Sequence, residues 1–117
     1  MNIKECYEKI GGDYEGTMNR LMKEERILKY LNKFIVGNDM EMLSSSLEAK
    51  DYETAFRCAH NMKGLGLNLG LTKLHQASDI LCEQLRGGEP KIDVSDMLLA
   101  VRTAYDETIA AVKEIDS

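Results

Sequence analysis

The sequence predicts an all-α protein, an antiparallel up-and-down four-helix bundle with extra short N-terminal helices. Three observations carry that expectation. Apolar residues recur at three- and four-residue steps along nearly the whole 117-residue chain, which is the spacing of one helix face. There is one proline, Pro90, and no strong alternation of β-branched residues, so sheet is disfavoured. Short links rich in Gly, Asn and Asp separate the periodic segments, and short links join antiparallel neighbours.

In chain order, Ile3, Tyr7 and Ile10 repeat at helical spacing and Gly11-Gly12 stops the turn, giving a short capping helix. Asp13 can cap a second, with Tyr14, Met18 and Leu21 as its apolar face. Glu24-Glu25 opens a third running to about Val36, whose buried stripe is Ile27, Leu28, Leu31, Phe34 and Ile35. Acidic residues suit a helix start because they face the positive end of its dipole. Gly37-Asn38-Asp39 breaks or kinks this helix, and Met40, Leu43 and Leu47 resume the pattern. Asp51 caps the next helix, which runs to about Leu69 and leaves Gly70 for the left-handed closing position. Leu71, Leu74, Ser78, Leu81 and Leu85 form a seam on the following helix, ended by Gly87-Gly88. After a loop at Glu89-Pro90-Lys91-Ile92, Asp93 caps a last helix through about Ile115. Its stripe is Val94, Met97, Val101, Tyr105, Thr108, Val112 and Ile115.

This length fits one domain over residues 1–117, with capping helices over 1–22 and a bundle over 23–116. The formal net charge of −5 leaves no basic footprint for nucleic acid or an anionic membrane, and a protein partner is the better expectation. No apolar run is long enough to span a bilayer, and the first residues lack a signal-peptide core, so a cytoplasmic location is expected. Cys6, Cys58 and Cys82 show no close metal-ligand spacing. They are expected to pack as small hydrophobes in a reducing compartment.

One segment departs from ordinary helix chemistry. Residues 59–70 read Ala-His-Asn-Met-Lys-Gly-Leu-Gly-Leu-Asn-Leu-Gly, placing two glycines inside a helix where each costs about 1 kcal/mol relative to alanine. On a helical wheel Ala55, Cys58, Ala59, Met62, Leu65, Gly66 and Leu69 form the core stripe. His60 lies off it, sharing an edge with Phe56, Lys63, Gly64 and Leu67. A lone helix histidine is usually ordinary surface. This one has no bulky side chain at Gly64, and the nearby ammonium of Lys63 can hold an anion on it. His75 has no such company and reads as neutral or structural on a solvated face.

The order His-x-x-Lys-Gly, with Ala59 before the histidine and Asn68 and Gly70 closing the helix, resembles the histidine-containing phosphotransfer (HPt) domain of bacterial two-component phosphorelays. The resemblance implies that His60 is the phosphoacceptor and Lys63 the stabiliser of phosphoryl charge. Gly64, on the outward side of the wheel, is read as an opening for receiver access rather than a packing glycine, and Phe56 and Leu67 are either peripheral core or the apolar floor on which a receiver docks. The seventh residue after the histidine is usually small in that family and here is Leu67. A glutamine or glutamate on the next helix often bonds the second imidazole nitrogen there; counting along gives Cys82, with Glu83 and Gln84 beside it.

The partners so implied are response-regulator receiver domains and a sensor histidine kinase, with phosphoryl passing from a receiver aspartate or the kinase to His60 and on to another receiver. No cofactor or metal is expected on this chain, because the receiver brings Mg²⁺. The chain has no Gly-rich phosphate loop and no Walker lysine pattern, so it is expected to be a monomeric phosphocarrier without its own kinase activity. The alternatives are a helical scaffold or adaptor without phosphotransfer, the phosphoacceptor domain of a larger chemotaxis-type kinase, and a small enzyme using His60 as a base. The last lacks a second catalytic group at clear helical spacing.

Overall fold

A computed structural model of the chain describes residues 1–116. Among these the regular structure is entirely helical: α1 (Ile3–Ile10), α2 (Tyr14–Leu21), α3 (Glu24–Ile35), α4 (Asp39–Glu48), α5 (Tyr52–Asn68), α6 (Thr72–Leu85) and α7 (Ser95–Lys113). The starts and stops follow local chemistry. Asp13 and Asp51 accept from the backbone N–H groups of Gly16 and Thr54, each satisfying a donor that a helix start leaves orphaned. Gly11 and Gly70 close α1 and α5 in the left-handed region, at φ 68° and 66°, where a side chain would be strained.

α4 packs on α5, α5 on α6 and α6 on α7, while α7 also reaches α1, α3 and α4. Their buried faces share one hydrophobic cluster, in which Ile27, Leu31, Leu43, Met62, Leu74, Leu81 and Val101 are almost wholly excluded from water. The expected seam of α6 is buried throughout, from Leu71 to Leu85.

Three details differ from the expected pattern. The buried residue of α2 is Thr17 rather than Tyr14, Met18 or Leu21, which pack only part-buried; Thr17 Oγ1 donates to the Asp13 carbonyl, so its polar atom enters the interior satisfied. Asp93 does not cap α7 from the cap position, which Val94 occupies; its carboxylate instead accepts from the Ser95 N–H one residue inside. On α5, Leu65 is 37% exposed, outside the core stripe expected for it.

The N-terminal helices close the end of α5. Tyr7 Oη donates to the Leu69 carbonyl at 2.6 Å, Arg20 donates to the carbonyls of Leu67 and Asn68, and the Asp13 N–H donates to the Gly70 carbonyl at 2.8 Å. The carbonyls of Leu67, Asn68 and Leu69 are among those a helix C-terminus leaves without intrahelical partners. A Cβ at Gly70 would strike Thr17 and the Asp13 carbonyl, so this contact needs glycine twice over, for its φ and for its size.

Candidate functional site

α5 carries His60 on its exposed side, and the helix is fixed on its other side by Ala55, Cys58, Ala59, Met62 and Gly66, all buried. The two glycines of the segment have different jobs. At Gly66 a Cβ would lie 2.9 Å from the His75 backbone nitrogen, so this residue lets α6 approach α5 closely. At Gly64 a Cβ would meet nothing within 4 Å, so the space one turn from His60 is empty of protein.

Phe56 and His60, four residues apart, stack nearly parallel with ring centroids 6.0 Å apart and planes 8° from coplanar. Leu67 is 56% exposed, further along the same edge.

Lys63 is not a free cation beside the imidazole. Its Nζ lies 2.9 Å from Asp79 Oδ1 on α6. The carboxylate raises the lysine pKa above its ordinary value, and the ammonium lowers that of Asp79. Both effects are those of opposite charges stabilising each other's ionised form. Cys82 is wholly buried, and burial raises its thiol pKa. Glu83 is held by Arg86, whose Nη2 donates to Glu83 Oε1 at 2.8 Å, and the guanidinium lowers the Glu83 pKa. Among the described residues no hydrogen bond joins Cys82 or Glu83 to His60; the interior claims the first side chain and a neighbouring arginine the second.

His75 is half-buried rather than on a solvated face, with Nδ1 3.1 Å from the Lys63 carbonyl. It ties α6 to the backbone of the Lys63 turn.

Two residues near the site were not singled out from the sequence. One is Asp79, and the other is Arg86, whose guanidinium carbon lies 5.3 Å from the Phe56 ring centroid. A signal for them existed. Asp79, Glu83 and Arg86 step by four and three along α6 and onto its C-cap, the spacing of one helix face, but sequence alone does not say that this face meets α5.

A cavity of about 520 Å³ lies elsewhere, lined by residues of α2, α3, α5 and α7, with Gly37 just before α4 and Asp39 at its start, and including Leu21, Phe34, Met62 and Tyr105. His60, Lys63 and Gly64 do not line it. Among the described residues no group of three or more His, Cys, Asp or Glu is placed to hold a metal ion, and no helix is long and apolar enough to cross a membrane.

No curated protein and no solved structure matches the chain. The family model of the Hpt domain matches residues 36–114, a span that begins at the break between α3 and α4 and takes in α4, α5, α6 and α7. With His60, Lys63 and Gly64 inside that match, on an all-helical framework, the chain belongs to the Hpt domain family.

Proposed function

We propose that the protein is a phosphorelay intermediate in which His60 receives a phosphoryl group from a receiver-domain aspartate, or from a sensor histidine kinase, and passes it to another receiver aspartate. Hpt domains are phosphocarriers that work with receivers and kinases in phosphorelays. The observation that carries the reading for this chain is an exposed imidazole with open space at Gly64.

The transfer needs little covalent chemistry from the protein. A neutral imidazole nitrogen attacks phosphorus as the O–P bond of the aspartyl phosphate breaks. The bonding pair leaves on the aspartate carboxylate, and the proton on the other ring nitrogen stays with the ring. Catalysis is then mostly in-line positioning and offsetting of charge on the equatorial oxygens. In this reading Lys63 supplies the cation, and Mg²⁺ comes with the receiver. Gly64 gives access, and Leu67 offers apolar surface at the rim.

The same reading takes residues 1–117 as one monomeric, cytoplasmic domain: α1 and α2 as capping helices over residues 1–22, and an antiparallel up-and-down four-helix bundle over 23–116. The kinked α3–α4 supplies its first helix and α5, α6 and α7 the rest. The buried cluster common to α1 and α3–α7 supports the reading as one domain.

The test is incubation with a panel of receiver domains charged with acetyl phosphate, scoring acid-labile, base-stable label on this protein. Label on the wild type and none on His60→Gln, with unchanged helicity, is the expected result. Label retained by His60→Gln rejects the assignment, and no label from any receiver favours a scaffold role.

A further inference from the structure

His60 is exposed, and an exposed imidazole is free to turn about both side-chain torsions unless a neighbour restrains it. Its neighbour is Phe56. The separation of 6.0 Å is inside the range in which parallel rings attract. Swinging the imidazole away would forfeit that contact.

Phe56 is itself held. Arg86 stands 5.3 Å from its centroid, within reach of a cation–π attraction, and that guanidinium is fixed by two donations to Glu83, from Nη2 at 2.8 Å and from Nε at 3.3 Å. A series of contacts thus runs from Glu83 through Arg86 and Phe56 to His60. Glu83 stands on α6 and Arg86 at its C-cap, while Phe56 and His60 stand on α5, so the series exists only where the two helices pack.

We propose that Phe56 and Arg86 are positioning residues for His60: Phe56 sets the plane of the imidazole, and Arg86, anchored by Glu83, keeps Phe56 in place. The proposal rests on the reading of His60 as phosphoacceptor. It assigns to an aromatic contact the orienting task that a hydrogen bond from α6 to the imidazole would otherwise perform. In-line transfer depends on the angle at which the attacking nitrogen meets phosphorus, so the orientation is felt in the rate of the chemical step rather than in how tightly a receiver docks.

The experiment compares wild type with Phe56→Leu, Phe56→Tyr, Arg86→Ala and His60→Gln in the full chain. Ring-proton NMR of the histidines reads orientation directly, without a partner. Single-turnover transfer from a receiver that labels the wild type, across receiver concentrations, separates the saturating rate from half-saturation. Expected are a His60 ring-current shift that is kept in Phe56→Tyr and lost in Phe56→Leu, and a saturating rate that falls at least about tenfold in Phe56→Leu. Arg86→Ala should fall between wild type and Phe56→Leu, with half-saturation little changed in each.

An unaltered His60 shift in Phe56→Leu overturns the positioning role. So does a change confined to half-saturation, which makes Phe56 a docking contact. His60→Gln keeps the failures apart. If it retains label the phosphoacceptor reading falls and this role with it, whereas loss of label alongside a normal rate in Phe56→Leu rejects the positioning role alone.

Discussion

The ammonium of Lys63 sits 2.9 Å from the carboxylate of Asp79, joining the turn after His60 on α5 to the neighbouring face of α6. The cation that would neutralise a phosphoryl group on His60 is therefore engaged before any phosphoryl arrives. To serve a phosphohistidine it must exchange one anion for another or be shared between them. A phosphoryl group offers more charge and more acceptor oxygens than a carboxylate, so the exchange is favourable in direction.

Lys63→Ala should therefore shorten the phosphohistidine lifetime or slow transfer, and Lys73→Ala should not. Asp79→Asn should have the opposite effect on lifetime, because it releases the ammonium without removing it. Lifetimes of isolated phosphoprotein check both, and equal behaviour of the Lys63 and Lys73 variants would make Lys63 an ordinary surface lysine.

The pair also has a signature in pH. Asp79 has a lowered pKa, so its contribution to stability is present above the unfolded carboxylate value and is lost as pH falls through the folded one. Lys63 has a raised pKa, so its contribution is present below the unfolded lysine value and is lost as pH rises through the folded one. The pair should thus act evenly across the neutral range and fade at both extremes. Melting temperature against pH for wild type and Asp79→Asn should differ by a constant near neutrality and converge in acid. Both partners are solvent-accessible, so the difference should be small and shrink with added salt.

The glycines separate access from packing. Gly64→Gln places a side chain in open space, so the helix should hold or gain up to about 1 kcal/mol while transfer falls sharply. Gly66→Ala drives a methyl group against the His75 backbone and should cost about 1–3 kcal/mol by overpacking. Thermal melts and a transfer time course on both variants give the comparison. A large loss of melting temperature in Gly64→Gln would mean that the site's open side is not at that position.

His75→Gln should spare phosphoryl acceptance yet destabilise the chain by roughly 0.5–1.5 kcal/mol, because the imidazole sits 3.1 Å from the Lys63 carbonyl and a hydrogen bond there has that typical worth. Denaturant unfolding measures it. No change in stability would return His75 to a surface role.

Leu67 stands 56% exposed on the His60 side of α5. Leu67→Gln should leave stability within about 0.5 kcal/mol and raise the receiver concentration needed for half-saturation. A normal transfer curve would remove Leu67 from the docking surface.

What the chain order determined by itself is local. Helix starts at Asp13 and Asp51, the stops at Gly11 and Gly70, the break at Gly37 and the buried seam of α6 all follow from capping chemistry and from 3.6-residue periodicity. Both are properties of residues a few positions apart. The edge shared by Phe56, His60, Gly64 and Leu67 was legible for the same reason. The tertiary structure decided what crosses between helices. Asp79 takes the Lys63 ammonium, Arg86 covers Phe56, His75 meets the Lys63 carbonyl, and α1 and α2 satisfy the last carbonyls of α5. The Lys63 and Asp79 positions are sixteen residues apart, and periodicity within each helix leaves their relative rotation and offset undetermined. Those depend on how closely α6 can approach α5, which the absence of a side chain at Gly66 allows and the packing of Leu74, Leu81 and Cys82 completes.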